Sequence, residues 1–420
     1  MIDSIAMSTA SSIAPLDSLP QPTRVRRQPS LDFSVTGLVY CAMMMFMGIA
    51  AINSQANLLF GVFGLMIGIL LITIAINWLV LRKLKITRVL PENGVVAEPL
   101  QMSYQIENRK RYWPALSVTI AELDGADAFM KQPHAYMLHA AAKNTAMIPA
   151  ELLPRRRGMH RLNRFQVSSS FPFGFIKRAW DREKTETLLI YPPVARVSER
   201  LTNLLQSSEN SGASMRPRRG GADEFYGVKD YRIGENPRYI YWRRSARTGS
   251  LVSKEMTHVA PPRILLLVDT FLGTDPSPQR RADVERGLGM AASIVDHCLA
   301  MGMMLGMVAR GSDWIHFPLN RGKRHRRDLL AALAKLPTNS QHDHQELVEA
   351  AYADQAASAA TTVLVTPIDV RLSLGERARG GTVVVSAANI AARSWFTFDP
   401  RVDFDHMMPI EPTSAARLEN

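Results

Sequence analysis

The sequence is poor in cysteine. Only Cys41 and Cys298 occur among 420 residues, far apart, so the chain builds neither a disulfide framework nor a cysteine zinc site. That usage agrees with a reducing compartment. No G-x-x-x-x-G-K-[ST] stretch is present, so nothing cradles a nucleoside triphosphate, and any ATPase activity has to come from a partner. No recognised nucleic-acid-binding module occurs either, and the net charge of +12 is spread through the chain; nucleic acid is not an expected partner. The composition, 46% hydrophobic and 21% charged, is that of a folded protein. The length allows two or three domains. A basic excess by itself suits nucleic acid, anionic lipid or acidic protein as neighbour.

Charge is missing altogether from two long runs near the N-terminus, Val35–Ile52 and Leu58–Leu81, split by the short polar break Asn53–Asn57. About 20 apolar residues cross a bilayer as a helix, so residues 35–81 read as a transmembrane helical hairpin, with Trp78 placed as an interfacial aromatic. Arg24, Arg26 and Arg27 precede the first run, and Arg82, Lys83, Lys85 and Arg88 follow the second. The positive-inside rule then puts both termini in the cytoplasm. Residues 1–34 read as a flexible cytoplasmic tail.

Residues 84–197 carry short β-type runs separated by turn residues. Alternation at Met102, Tyr104 and Ile106, and again at Val118 and Ile120, predicts an all-β sandwich-like domain. The basic stretch Arg155–Arg164 reads either as a solvated strand edge or as a headgroup contact, and the first is favoured. In FPFGFIKR (Phe171–Arg178), packing accounts for the residues.

Residues 198–262 form a linker. From 263 to 400 strand and helix patterns alternate, which predicts an α/β domain with a mostly parallel sheet; 401–420 reads as a C-terminal tail. Asp269 and Asp369 follow apolar strands, where open α/β sheets bind ligands. A strand ending in Asp before a loop and helix resembles the von Willebrand factor A domain, whose D-x-S-x-S motif holds a divalent cation on oxygen ligands. Here Phe271 and Gly273 stand where the hydroxyls belong. The site at Asp269 is therefore degenerate and expected to be empty, with no cofactor. His342-Asp343-His344 lies in a polar loop without a third ligand, and Ser245 has no evident His base.

The most distinctive stretch is Gly220–Met256, crowded with arginine, carboxylate and aromatic residues. Gly234-Glu235-Asn236-Pro237 predicts a turn, and Tyr239–Arg247 a short helix closed by Gly249. Asp223, Glu224, Asp230 and Glu235 are expected close enough to pair with the arginines.

The ordered residues Phe225, Gly227, Lys229, Tyr231, Gly234, Arg238, Ile240, Trp242, Ser245, Ala246 and Arg247 resemble the signature of the bacterial domain of unknown function 58 family. Asn57-Leu58-Leu59 and Pro172–Phe175 extend the resemblance over nearly the whole chain. It implies a membrane-anchored chain with a degenerate von Willebrand factor A-like domain, multi-pass in the bacterial inner membrane. The implied partners are MoxR-type AAA+ ATPases and other von Willebrand factor A-type proteins, working in protein assembly, maturation or stress tolerance.

Two readings of the signature stand side by side. One is a clasp that pins the linker to the α/β domain, with Trp242 and Arg247 buried. The other is a docking surface that includes Arg238, Arg243 and Arg244. The chain is expected to be a non-enzymatic scaffold or adaptor on the cytoplasmic face. The alternative is a metal-dependent adhesion-type binding module.

Overall fold

The computed structural model describes residues 29–125, 127–207, 218–258, 261–273, 276–311, 314–338, 344–353, 360–369 and 382–407. Strand β1 (Pro29–Phe33) leads into helices α1 (Val35–Ser54) and α2 (Asn57–Leu81). Both helices are long and apolar enough to cross a membrane, and their apolar windows are only 17% and 6% buried. The break between them is two residues long, because Gln55 caps α1 in a left-handed conformation and α2 starts at Asn57. Ser34 caps α1, its Oγ accepting from the Gly37 amide.

The β region holds β2 (Leu84–Val89), β3 (Asn93–Val95), β4 (Leu100–Asn108), β5 (Ala115–Glu122), β6 (Phe129–Lys131), β7 (His134–Ala140), β8 (Thr145–Pro154), β9 (Gly158–Ser169) and β10 (Ile176–Tyr191). One sheet runs β1-β10-β9-β5-β7, with β3 parallel on β10; the other runs β2-β4-β8-β6. The alternating side chains meet between them. Met102, Tyr104, Ile106 and Leu152 face Val118, Ile120, Phe165 and Leu188 in one core. Inside that core Arg88 is fully enclosed, bonded to Glu122 and to the Leu162 carbonyl, and Tyr104 donates to the same Glu122 at 2.5 Å. A buried charge survives only when it is paired and its remaining hydrogens are satisfied, and Arg88 meets that condition.

The chain continues through β11 (Arg196–Val197) and α3 (Glu199–Ser207) to the antiparallel ribbon β12 (Arg218–Asp230) and β13 (Val252–His258), with α4 (Trp242–Thr248) at its tip. The α/β domain follows with β14 (Arg263–Val268), α5 (Pro278–Ala300), β15 (Met304–Arg310), β16 (Trp314–Asn320), α6 (Lys323–Lys335), α7 (His344–Ala353), β17 (Thr361–Thr366), β18 (Thr382–Ser386), α8 (Ile390–Arg393) and β19 (Phe396–Thr397). Its sheet order is β16-β15-β14-β17-β18, parallel except for β16. The unbroken apolar run of β14 has a direct cause: both faces are covered. Ile264, Leu266 and Val268 pack with α5 and α6, while Leu265 and Leu267 pack with Leu347 of α7.

Four sequence expectations need correction. Residues 29–33, assigned to a tail, are a strand paired with Ile176–Trp180; residues 1–28 lie outside the described residues. The expected linker opens with α3, whose Leu201 and Leu205 lie in the α/β core, while Gln206–Arg219 falls largely outside the described residues. The expected C-terminal tail begins as packed chain: Met407 is buried in the β core, and the His406 carbonyl accepts from Arg156 Nε at 2.9 Å. Arg157, read as part of a solvated edge, is instead buried between the two domains. Its guanidinium donates to Glu285 Oε2 on α5 at 2.9 Å and to the Leu333 and Leu336 carbonyls that close α6.

The apolar pair is anchored at its base. Asn77 of α2 donates to the carbonyls of Ser169 and Ile176. Strand β9 therefore touches α2 at one end and, through Arg157 beside Gly158, the α/β domain at the other.

Candidate functional site

The ribbon tip is built from its own residues. The β12–β13 register shifts between Phe225 and Gly227, and a glycine suits such a bulge. Pairing resumes at Val228 and Lys229, and the Tyr231 amide donates to the Leu251 carbonyl. Gly234 then turns the chain at φ 103°, a conformation that favours glycine. Tyr231 Oη donates to the Glu235 carbonyl at 3.0 Å. The Glu235 carboxylate accepts from Lys229 Nζ at 2.7 Å and from Ser253 Oγ at 3.1 Å. The Lys229 hydrogen bond is the main force holding it below its ordinary range.

Asn236 caps the 3-10 turn Pro237–Tyr239, its Oδ1 accepting from the Arg238 amide. Ile240 is buried and bridges to Ser253. Ser245 ties α4 to β13. Its hydroxyl accepts from the Val252 amide at 2.9 Å and donates to the Tyr241 carbonyl at 3.1 Å. Gly249 closes α4 at φ 71° as expected. The lock therefore exists, but it is local: Tyr231, Gly234, Glu235, Ile240, Ser245 and Gly249 fasten the tip to its own ribbon.

The remaining signature residues face outward, which corrects the expected clasp. Trp242 is 65% exposed and Ile233 is fully exposed. Arg238, Arg243, Arg244 and Arg247 are exposed too. Among the described residues no ion pair engages these four arginines. Glu235 serves Lys229 rather than an arginine, and the side chains of Asp223, Glu224 and Phe225 lie outside the described ones. No hydrogen bond among the described residues ties 227–251 to the α/β domain. A seven-residue helix can bury only the stripe that meets its neighbour, and here that stripe is Ser245 over β13, not Trp242. The result is an exposed indole amid guanidinium groups, a surface suited to carboxylate and phosphate. The sequence leads one to expect Ile233 as an apolar contact and Glu235 as a partner of the arginines; Ile233 is instead fully exposed and Glu235 pairs with Lys229.

The second location is the C-terminal edge of the parallel sheet. Chain direction reverses beside β14, where ligands bind in such sheets. A crevice of about 200 Å³ lies there, lined by Ser277, Arg280, Asp283, Pro367 and Asp369 among others. The carboxylates at this sheet edge, Asp283 and Asp369 in the crevice and Asp269 at the end of β14, are already engaged. Asp269 accepts from the Phe271 amide and from Thr366 Oγ1, both at 2.9 Å. Asp283 is held by Arg286 and Arg393, and Asp369 accepts from Asn389. Thr270 Oγ1 is directed to the carbonyls of Arg310 and Pro337. Among the described residues no three His, Cys, Asp or Glu side chains gather as metal ligands. His342 and Asp343 lie outside the described residues.

Comparison with known proteins bears on this ribbon. An uncharacterized protein of Bacillus subtilis (strain 168), YeaD, is 26% identical over 192 residues, 46% of this chain and 46% of YeaD. The chain thus spans about half the length of that relative. Residues 227–389 match the family described as "Protein of unknown function DUF58", a range running from the bulge at Gly227 through the tip to the loop after β18, narrower than the whole-chain resemblance expected from the sequence. The ribbon tip and most of the α/β domain thus lie inside a stretch that is similar to the DUF58 family.

Proposed function

We propose that the chain is a membrane-anchored, non-enzymatic adaptor of the bacterial inner membrane, with both termini cytoplasmic, that docks a partner protein through the ribbon tip. One observation carries this reading: Trp242 and the arginines around it are presented to solvent while neighbouring signature residues are spent on holding the tip in shape. Exposed Trp and Arg are the residues that dominate protein interfaces. An acidic surface patch is the complementary partner chemistry. The partner class is a MoxR-type AAA+ ATPase, with other von Willebrand factor A-type proteins as companions, in assembly, maturation or stress tolerance of client proteins. The anchor is the α1–α2 pair, whose outward apolar side chains fit lipid better than a soluble core.

The second reading, a metal-dependent adhesion module, has in its favour that Asp269 follows the central strand of a mostly parallel five-stranded sheet. The engagement of Asp269 by Thr366 and the Phe271 amide weighs against it.

The test is affinity capture from solubilised membranes with identification of co-purified proteins. The native chain should recover an AAA+ ATPase, and an Arg243→Glu, Arg244→Glu variant should lose it. Equal recovery by both would remove the tip from the docking surface.

A further inference from the structure

Around the base of the apolar pair the β domain forms a rim that its own core does not explain. On one side, Lys110 Nζ donates to the Leu79 and Val80 carbonyls at the end of α2 and to the Pro114 carbonyl. The Arg109 amide donates to the Lys83 carbonyl, and the Lys143 amide to the Lys110 carbonyl. Asn108 fastens the 109–114 loop by donating to the carbonyls of Trp113, Ala140 and Ala141. Two loops are thus knitted to the exit of α2.

On the other side, the 171–175 turn clasps the entry of α1. Ser34 Oγ donates to the Gly174 carbonyl at 2.5 Å, and the Ser34 amide to the Phe175 carbonyl. Tyr40 stacks on Phe175 at 4.3 Å, and Phe173 stacks with Phe175 at 5.6 Å. A side chain at Gly37 would collide with the Phe175 carbonyl, so the turn and the helix are in direct contact.

The side chains this rim exposes are of two kinds. Tyr112, Trp113, Phe173 and Trp78 are large, aromatic and exposed. Arg82, Lys83, Arg109, Arg111, Lys143 and Lys177 are cationic and exposed, and Arg82 lies over the Trp78 ring at 4.6 Å. Exposed aromatics on a soluble surface are a liability. At the level where two apolar helices begin and end, the same residues are the ones that settle at a membrane interface, and cations there meet anionic headgroups.

We propose that this rim is a binding site for anionic phospholipid, in which Tyr112, Trp113 and Phe173 enter the headgroup layer and Arg111 and Lys143 hold phosphate, the Arg109 guanidinium being bonded to the Glu107 carboxylate. The proposal rests on the reading of α1 and α2 as membrane spans. It places the headgroup contact on the 109–114, 141–145 and 171–177 segments and not on Arg155–Arg164, which lies at the opposite end of β9.

The test uses the full chain in nanodiscs of equimolar phosphatidylcholine and phosphatidylglycerol, in a Cys41→Ala, Cys298→Ala background. An environment-sensitive fluorophore is attached at Tyr112→Cys, Phe173→Cys, Leu65→Cys or Met159→Cys. Quenching is read from lipid carrying a nitroxide high on the acyl chain, on either headgroup. The Leu65, Tyr112 and Phe173 probes should be quenched and the Met159 probe should not. Quenching at Tyr112 should favour the phosphatidylglycerol quencher by about fivefold, the factor one cation contributes at an anionic surface. Arg111→Gln and Lys143→Gln together should equalise the two quenchers. A quenched Leu65 probe beside dark Tyr112 and Phe173 probes would overturn the rim and leave the spans standing. A Tyr112 probe with no headgroup preference would overturn the anionic site. An unquenched Leu65 probe would remove the spans, and the rim with them.

Discussion

Arg157 and Glu285, 128 residues apart in sequence, meet as a buried ion pair at 2.9 Å where the β domain joins α5. Burial pushes the Glu285 carboxyl upward, and Arg157 opposes it. Among the described residues Glu285 Oε1 has no hydrogen-bond partner, so within them the pair is incompletely satisfied. Such pairs give little net stability, but halving one strands a charge. Arg157→Met should therefore lower stability by about 3–5 kcal/mol in thermal melts of the purified full chain. An Arg157→Met, Glu285→Leu double variant should recover most of that loss. A double variant as unstable as the single one would show that the α6 carbonyls, and not the charge pair, set the cost.

The division of the signature into fastening and outward residues has separate readouts. Ser245→Ala leaves the buried Val252 amide unpaired, at about 1–3 kcal/mol. Amide hydrogen exchange should accelerate across 239–252 and remain unchanged in the α/β domain. Trp242→Ala should change stability by no more than about 0.5 kcal/mol, as expected for an exposed site, yet reduce partner capture. A large loss in melting temperature for Trp242→Ala would restore the clasp.

What the sequence conveyed and what it withheld follow from the range of the forces involved. The α1–α2 runs, the alternation at Met102, Tyr104 and Ile106, and the helix around Val284–Cys298 are patterns of burial repeated every few residues, so they are legible locally. Arg157 was not legible. An arginine in a basic run reads as solvated, and its partners lie on α5 and α6, far along the chain. Trp242 misled for the opposite reason: an indole reads as core unless something says that its helix sits on a ribbon with that face left exposed. Pro29–Phe33 contains a proline and an aspartate and reads as tail, and only the exposed edge of β10 makes it a strand.

The Asp269 corner gives a metal prediction. Mg²⁺ or Mn²⁺ should leave the melting temperature unchanged, whereas a cation at a hundred times its dissociation constant would add about 2.7 kcal/mol. An Asp269-dependent rise would overturn the degenerate-site reading.

Lys110 gives a pH prediction. Burial brings its ammonium from 10.5 down to about 8, even with three carbonyls facing it. Below pH 8 the folded and unfolded chains both carry the proton, and the burial cost is fully present. Between about 8 and 10.5 the folded chain has released a proton that the unfolded chain keeps, so stability should climb as pH rises through that window. Lys110→Met should flatten that slope in pH-dependent melts; an unchanged slope would assign it to another group.

Strand β9 has 12 residues and, at about 3.3 Å of rise each, a reach on the order of 35 Å. It is pinned to α2 at Ser169 and abuts the Arg157 junction at Gly158. With the apolar pair in a bilayer, the strand acts as a ruler that sets the stand-off of that junction. Electrostatic potential from headgroups decays over about 8 Å at physiological salt, so a strand standing along the bilayer normal puts the α5–α6 junction several decay lengths beyond it. Changes in lipid charge should be felt at the rim and go unnoticed at the junction, leaving the chain two addresses that can be read independently.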